Sequence, residues 1–560
     1  MKPHLSPPSP PSRLSRTATA ITAAWLGLQC VAMPSAHAAS ACHVDATGAT
    51  PPGCMGTTVW SGAGQFEPAI LNVVDGGQYA RTGTGLYISN SNTGAAGGNS
   101  GTRGIYAYGQ STASPPEPSR VGIDGYTRVT IAATNVYNPT SNEGVYASRG
   151  AQVLIDGNLA VFTSTTGSTY TARAVVAHGI GVGTLATTPS RITAHGTLDA
   201  DTTQAAQTAF AVEATDGGQI TVQGGGSVLS ARSGVYVRAA GVGSLYSSFT
   251  STGAAATTLQ AGGNGVTLEG AASGNPNPGT VEFGHLALTA HDSGVRFYSG
   301  NSASSTIAYR QNAGSITSTH GSAIAFTGGN GTANADLIDV AVATQSPTLG
   351  GVDADSAPIG YAVVSTSGAE NRLHMNGGSL SGPITTDSGA RLWLDLNGTA
   401  WNTGGQAGSM SLNSMTGMSG TVTLRMDDIN DRIDLRGDSP ALGTGCGAAT
   451  VTLQIPTNQP APAASPHTLM LCNNIAAAPT VTLQGGSVVL GGFNYTMQVT
   501  TTGQTRAYQL VRGSAAPTPG PGVGAAPIPT LSQWGLAMLS GLLGLAAWLR
   551  RQRGRVGQAC

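Results

Sequence analysis

The sequence predicts an all-β fold, a right-handed parallel β-helix (a β-solenoid), followed by a C-terminal transmembrane helix. Three observations support this prediction. The chain has 81 glycines in 560 residues and only 9% charged residues, a composition that is unfavourable for a helical globule. A short element, a small residue followed by an aliphatic one, recurs about every 30 residues. The last apolar run is long enough to span a membrane.

The repeated element occurs as "GIYAYG", "AVVAHG", "GVYVRAAG", "GVTLEG", "GVRFYSG" and "AIAFTGG". From Ala211 to Ile324 its aligned positions are 24, 31, 29 and 29 residues apart. Units of this length cannot bury their apolar face alone, so they predict a stack of coils. The aligned positions are Ile105, Val145, Val175, Ala211, Val235, Val266, Val295 and Ile324.

Within each unit, apolar residues alternate with polar ones. Ile220 and Val222 alternate with polar residues in "GQITVQ", and Val153 and Ile155 flank Leu154 in "AQVLIDG". This period of two predicts short strands with one aliphatic row facing inward. A flat sandwich would show turn signals every 8 to 12 residues without the larger period, so we favour coils stacked about 4.8 Å apart.

Both ends carry targeting signals. Basic residues precede the apolar run from Ala18 to Met33, and Ala36-His37-Ala38 supplies the small residues of a cleavage site, which predicts export. Leu531 to Leu549 is free of charge, and a helix of this length would span about 28 Å. Four arginines follow it and would hold that end in the cytoplasm. They are Arg550, Arg551, Arg553 and Arg555.

The end of the chain, "IPTLSQWGLAMLSGLLGLAAWLRRQR", resembles the IPTL-type C-terminal sorting signals of Gram-negative bacteria. The motif residues are Ile528, Pro529, Thr530, Leu531 and Trp534. The resemblance implies a processing protease of the exosortase type as a partner. It also implies that the inner membrane holds only a transient precursor. The processed chain would then reach the cell surface, the outer membrane or the exterior.

The exported body keeps four of the six cysteines, because Cys30 leaves with the signal peptide and Cys560 lies beyond the basic tail. Two local pairs in an exported chain predict disulfides. Zinc binding is a weaker interpretation, since the short ligand spacing of a zinc site is absent. The predicted pairs are Cys42 with Cys54 and Cys446 with Cys472.

The body from about residue 60 to 513 resembles the passenger repeats of pertactin-like autotransporters, on "GVYASRGAQVLI", "AVEATDGGQITVQGG" and "SGVRFYSG". Asp387 to Met415 resembles the tryptophan-bearing coils of those passengers, Asp427 to Gly445 the opening of their C-terminal segment, and Gly491 to Gly513 its closing hairpins. The resemblance implies a passenger-like rod. We expect it to lack the outer-membrane barrel and to use a different anchoring route.

The sequence therefore divides into six predicted segments. They are a signal peptide (1–38), an N-terminal cap with a cysteine pair (39–60), β-helix repeats (61–425), a C-terminal β-helix or capping segment (426–513), a Pro/Gly linker (514–527) and the sorting signal with its helix and basic tail (528–560).

The capping segment contains two short motifs that are candidate sites. Asp427, Asp428, Asp431 and Asp434 could hold calcium, but they lack the glycine and distal glutamate of an EF-hand loop, so we favour a turn. Arg436-Gly437-Asp438 spells an adhesion tripeptide, which the same turn also explains. We predict no cofactor and no metal.

The charge balance and the surface chemistry limit the possible functions. Without the targeting ends, 18 basic and 26 acidic residues remain, and Lys2 is the only lysine, which argues against nucleic acid as a partner. We expect a surface-displayed protein with an adhesin-like or structural role, contacting host glycans, matrix or neighbouring cells, and not an enzyme. The alternative is a carbohydrate-active β-helix enzyme, a polysaccharide lyase or hydrolase, which would need two or more carboxylates and an arginine in one groove.

Overall fold

The chain runs through three parallel sheets in turn and returns to the first sheet one strand further along. The structure is a computed structural model. It describes residues 42–44, 59–63, 69–92, 102–109, 118–133, 142–165, 171–179, 188–205, 209–240, 245–271, 277–300, 303–346, 349–366, 370–387, 390–402, 410–411, 415–419, 421–426, 429, 433–435, 450–473, 479–503 and 505–516.

The described elements are strands. The first fifteen are β1 (Cys42–Val44), β2 (Val59–Ala63), β3 (Ala69–Val74), β4 (Gln78–Arg81), β5 (Leu86–Asn92), β6 (Arg103–Tyr108), β7 (Arg120–Asp124), β8 (Thr127–Ala133), β9 (Asn142–Ser148), β10 (Gln152–Asp156), β11 (Leu159–Thr165), β12 (Ala172–His178), β13 (Arg191–Ala194), β14 (Leu198–Thr202) and β15 (Ala209–Thr215). The next fifteen are β16 (Gln219–Val222), β17 (Gly226–Ser230), β18 (Ser233–Arg238), β19 (Ser247–Ser251), β20 (Thr257–Ala261), β21 (Val266–Glu269), β22 (Gly279–Phe283), β23 (Leu286–Ala290), β24 (Val295–Tyr298), β25 (Thr306–Gln311), β26 (Gly314–Ser318), β27 (Ile324–Thr327), β28 (Thr332–Ile338), β29 (Val340–Thr344) and β30 (Val363–Ser365). The last are β31 (Glu370–Asn376), β32 (Ser379–Ser381), β33 (Ile384–Thr386), β34 (Arg391–Asn397), β35 (Thr399–Asn402), β36 (Met410–Ser411), β37 (Met415–Ser419), β38 (Thr421–Arg425), β39 (Ile433–Leu435), β40 (Thr450–Gln454), β41 (His467–Asn473), β42 (Thr480–Leu483), β43 (Ser487–Leu490), β44 (Phe493–Thr502) and β45 (Thr505–Ala515).

Each coil places one strand in each sheet. The first sheet takes β1 and every third strand from β3 to β33, the second takes every third strand from β4 to β37, and the third runs from β2 and β5 to β42. Thus β3, β4 and β5 make one coil, and β6, β7 and β8 lie parallel to them in the next. The fold is all-β with stacked parallel sheets, an arrangement compatible with the predicted β-helix.

The strand register confirms the repeat and corrects it at one position. In the first sheet, Val175 pairs with Val212, and Val212 pairs with Val235. The alignment on Ala211 is therefore wrong by one residue. Ala211 is instead the small residue that precedes the inward aliphatic, as Gly144 precedes Val145.

Small residues are needed at that place because the backbone packs closely against the third sheet and the next coil. A Cβ atom on Gly144 would lie 2.0 Å from Cγ1 of Val161 and 2.7 Å from the carbonyl oxygen of Ala174. The first atom belongs to the inward row of the third sheet, and the second to the next coil. The recurrence of glycine and alanine before the aliphatic is thus a packing requirement.

The inward rows form one continuous apolar core. Ile220 and Val222 are buried, as are Val153 and Ile155, whereas Leu154 between them is 41% exposed. The predicted alternation is therefore confirmed at these strands. The core cluster extends from Cys42 in β1 to Leu510 in β45.

The C-terminal end of the solenoid is closed by antiparallel strands. The fourth sheet has the order β36-β39-β41-β45-β44-β43, and β45 pairs antiparallel with both β41 and β44. Strand β45 continues to Ala515, two residues into the predicted linker 514–527.

Several predicted segments lie outside the described residues. They include the signal peptide 1–38, the uncharged run from Leu531 to Leu549 and the arginines after it. Among the residues that the structure does describe, no helix has the length and apolar character needed to cross a membrane. The transmembrane helix stays a prediction.

Candidate functional face of the first sheet

The outward side of the first sheet carries a concentration of charged and aromatic side chains. The residue after each inward aliphatic points away from the core, because side chains alternate across a strand. Tyr146 follows Val145 in this way, and Glu213 follows Val212. The parallel register then stacks these residues coil upon coil, so that Tyr106 lies beside Tyr146.

Four charged residues of this sheet form what we call the arginine–glutamate ladder: Arg103, Glu143, Arg173 and Glu213. The first three each lie two positions before the inward aliphatic of their strand, and Glu213 lies one position after it. Arg103 donates from Nε to Glu143 Oε2. Arg173 lies 3.6 Å from Glu143 through Nη1 and 2.7 Å from Glu213 through Nε. The carboxylate side chains are only 2% and 8% exposed. The ladder therefore joins four successive strands of the first sheet, β6, β9, β12 and β15, through charge.

Burial shapes the electrostatics of the ladder. It raises the pKa of Glu213, while Arg173 lowers that pKa and Glu143 raises it. Arg173 Nε and Glu213 Oε2 make no hydrogen bond of good geometry despite their short separation. The contact is thus an ion pair without a directed hydrogen bond, which is a weaker compensation for removing both groups from water.

Aromatic rings cover one end of the ladder. The guanidinium of Arg103 lies 4.7 Å from the ring centroid of Tyr106 and 5.0 Å from that of Tyr146. The two rings are stacked with centroids 5.4 Å apart. Burial raises the pKa of Tyr106 to about 12. The phenol stays neutral at ordinary pH, and the rings shield the cation from solvent.

A second, more exposed group lies at the edge of this face. Arg238 Nη2 is 2.5 Å from Asp216 Oδ2, and His178 Nδ1 is 3.8 Å from the same oxygen. His178 Nδ1 also lies 2.8 Å from the Thr215 hydroxyl oxygen. Burial lowers the pKa of His178, Asp216 raises it and Arg238 lowers it. Each side chain of the trio Asp216, Arg238 and His178 retains accessible surface.

The face meets one requirement of the enzyme alternative, because two carboxylates, those of Glu143 and Glu213, converge on Arg173. Both carboxylates are nearly inaccessible and already paired with arginine, so they are poorly placed to meet a substrate. The accessible trio holds a single carboxylate, that of Asp216. The ladder is better suited to fastening coils together than to acid–base chemistry.

A longer connection covers the far end of the same face. Val363 pairs with Ile324 across a coil that carries an insertion between β29 and β30. Asp355 in this insertion lies 3.3 Å from Arg296 Nη1 and accepts a 2.6 Å hydrogen bond from Asn264. Ala357 packs with buried residues of β27 and β30. The insertion therefore covers the face at Arg296 in β24 and at Asn264, just before β21.

The predicted site residues are mostly not brought into this face. Cys42 in β1 and Cys472 in β41 are each disulfide-bonded. Their predicted partners, Cys54 and Cys446, lie outside the described residues, so the pairing stays a prediction. The tripeptide 436–438, the sorting motif and three of the four aspartates of the acidic cluster also lie outside the described residues. Asp434 lies in β39.

No metal site emerges from the part of the chain that the structure covers. There, no group of three or more His, Cys, Asp or Glu side chains is arranged to hold a metal ion.

Sequence reasoning missed the ladder, although a signal for it was present. Glu143, Arg173 and Glu213 are far apart in the chain, so no local stretch of sequence joins them. Arg103, Glu143 and Arg173 occupy equivalent positions of successive coils, so aligning these positions as well would have stacked them. Glu213 carries no such signal, because Arg173 pairs in register with Phe210, and Glu213 pairs with Val176.

Residues 526–553 match the IPTL-CTERM motif. This match confirms the motif predicted at the C-terminal end and indicates a sorting signal of an exported protein. No curated protein matches the chain. The resemblance to pertactin-like passengers therefore stays a prediction.

Proposed function

We propose that this chain is an exported, surface-displayed β-helical protein with an adhesin-like or structural role. The observation that carries the proposal is the IPTL-CTERM match at residues 526–553, which follows a long solenoid of stacked parallel sheets. A sorting signal at the end of a rod suits a protein that is passed outward and displayed. The processing partner would be a protease of the exosortase type.

The solenoid supports a role at the surface. A twelve-stranded parallel sheet with strands about 4.8 Å apart would be roughly 55 Å long, which makes an extended scaffold. We take its coils to wind right-handed, since parallel strand connections strongly favour that hand. The continuous core and the arginine–glutamate ladder stiffen neighbouring coils. Such a rod can present its outer faces to host glycans, matrix or neighbouring cells.

Surface protease shaving of intact cells, with mass spectrometry of the released peptides, tests this proposal. We expect peptides from residues 42–516 in the released fraction and none from beyond the linker 514–527. Cells that express the chain without the sorting signal 528–560 serve as the control. They should release far fewer of these peptides. Recovery of the chain only after cell lysis would overturn the proposal.

A carbohydrate-active enzyme is the second candidate, favoured by the convergence of Glu143 and Glu213 on Arg173. The purified chain would then shorten a polysaccharide, and Glu213→Gln would abolish that activity without loss of folding. Incubation with a panel of neutral and acidic polysaccharides, with measurement of new reducing ends and of unsaturated products, decides this. If no polysaccharide of the panel is shortened, an enzymatic activity on these polysaccharides is excluded.

A further inference from the structure

Two exposed tyrosines lie side by side on the third sheet and the turn leading into it. Tyr87 in β5 is 43% exposed, and Tyr126, just before β8, is 39% exposed. Their ring centroids are 5.7 Å apart, with an edge-to-face angle of 66°. Two exposed rings in contact form a small apolar patch, which distinguishes them from a single exposed ring such as that of Tyr246.

Charged and aromatic groups continue this patch along the sheet. Tyr87 pairs in register with Arg128, whose guanidinium lies 4.9 Å from the ring centroid of Phe162. The same outward row continues through Ala160 to Asp199. Four strands at about 4.8 Å spacing make this row roughly 14 Å long. We call the set the tyrosine platform; its members are Tyr87, Tyr126, Arg128, Phe162, Asp199 and Asp201.

The two carboxylates of the platform are held in place. Oδ1 of Asp199 accepts hydrogen bonds from the Ser227 amide at 3.1 Å and the Ser227 hydroxyl at 2.9 Å. Oδ1 of Asp201 accepts bonds from the Thr203 amide and hydroxyl at 2.8 and 2.7 Å. Each aspartate is therefore oriented by a neighbouring hydroxyl residue.

The members of the platform are also close enough to influence one another. Partial burial raises the pKa of the Tyr126 phenol, Arg128 lowers it, and Tyr87 and Asp199 raise it further. The phenol therefore remains a neutral hydrogen-bonding group at ordinary pH. Two exposed tyrosines thus share one surface with a half-buried cation and two half-buried, fixed carboxylates.

We propose that the tyrosine platform binds a neutral oligosaccharide. The C–H face of a hexose ring packs on exposed aromatic rings, while its hydroxyls hydrogen-bond to carboxylate and guanidinium groups. A row of roughly 14 Å accommodates about three sugar units. One arginine against two aspartates gives the patch a negative charge, which disfavours uronic and other acidic sugars.

This inference rests on the proposed display at the surface and names the kind of partner that a displayed rod would meet. It can fail without affecting that proposal, because glycan binding is measured on purified protein. Display is measured separately by protease shaving. If shaving releases peptides but the purified protein binds no glycan on the array, glycan binding is contradicted and the proposed surface display is still supported.

The test is a glycan array of neutral and uronate-containing oligosaccharides, probed with the full chain purified in detergent. We expect binding to neutral glycans. The double variant Tyr87→Ala, Tyr126→Ala should weaken it by about tenfold or more, because the stacking surface is lost. Tyr246→Ala is the matched control, since Tyr246 is 46% exposed and lies on a different coil. It should bind like the parent.

A second double variant tests the charge argument. Asp199→Asn with Asp201→Asn leaves Arg128 as the charged member of the platform, so it should raise the relative binding of uronate oligosaccharides. Thermal melting of each variant checks that the fold is retained. The proposal is overturned if the parent binds no neutral glycan, prefers acidic ones, or loses binding equally in Tyr246→Ala.

Discussion

Arg173 Nε lies 2.7 Å from Glu213 Oε2, although the two residues are on neighbouring coils and forty positions apart in the chain. Arg173 also reaches Glu143 on the preceding coil, at 3.6 Å. One cation therefore links three coils on the outer face of the first sheet. A solenoid is held together mainly by contacts between adjacent coils, so this residue should matter for its cohesion.

Replacing Arg173 with Met should be strongly destabilising. The change leaves two buried carboxylates with one fewer partner, a loss on the order of 3–5 kcal/mol. Arg310→Met is the matched control, because Arg310 pairs with Asp336 while its own side chain is 63% exposed; it should cost about 0–1 kcal/mol. Denaturant unfolding of both variants measures the difference. Similar small effects would show that the ladder contributes little.

The stability of the chain should fall in mild acid partly because of His178. Burial lowers the pKa of His178 below its usual 6.5, with Asp216 opposing and Arg238 adding to the effect. As the pH drops, the unfolded state takes up the proton first. The contribution of His178 is thus present above pH 6.5 and lost as the pH falls through the folded pKa.

The variant His178→Gln should therefore lose less stability than the parent between about pH 7 and about pH 5. Melting temperatures across that range measure the effect. His195→Gln, which removes a histidine paired with an exposed aspartate, is the control variant. If the melting temperature of His178→Gln falls with pH as steeply as that of the parent, the interpretation of this site is contradicted.

The inward rows make a further prediction. Ile220→Asp or Val266→Asp places an unpaired charge among buried aliphatics and should lower the free energy of unfolding by several kcal/mol, on the order of 4. Leu154→Asp changes an outward residue of a comparable strand and should be nearly neutral. Circular dichroism during urea unfolding distinguishes them. Equal stability of all three would mean that the inward rows are misassigned.

Much of the solenoid could be predicted because its pattern is local. The alternation at Val153, Leu154 and Ile155 and the recurrence of a small residue before an aliphatic are both visible within a few positions. Register is less secure, since Ala211 and Val212 are both small or aliphatic and both buried. Only the pairing of Val212 with Val175 and Val235 decides between them.

The candidate face was harder to predict. Glu143 and Glu213 contact Arg173 only after three coils are stacked, and no local sequence pattern predicts that contact. The tyrosine platform is similar, because Tyr87 and Tyr126 belong to different coils. By contrast, the sorting motif from Ile528 is a contiguous stretch, and its identification from sequence agrees with the match at residues 526–553.

The basic tail provides a prediction about sorting. Replacing Arg550, Arg551 and Arg553 with Asn should weaken the stop to translocation, because the positive charges hold that end in the cytoplasm. We expect more uncleaved chain, seen as a larger band on immunoblots of the membrane fraction. The same three positions changed to Lys keep the charge and should process normally. Full processing of the Asn variant would argue against a role for the arginines.

The most direct test of the account follows the two ends of a single chain. One tag is placed near Asp45 and another after Arg555, and both are probed on protein recovered from the cell surface. If the C-terminal segment is a sorting signal that is removed during display, surface protein keeps the first tag and lacks the second. Mature surface protein that carries both tags would contradict removal of the sorting signal and would make the segment an ordinary anchor.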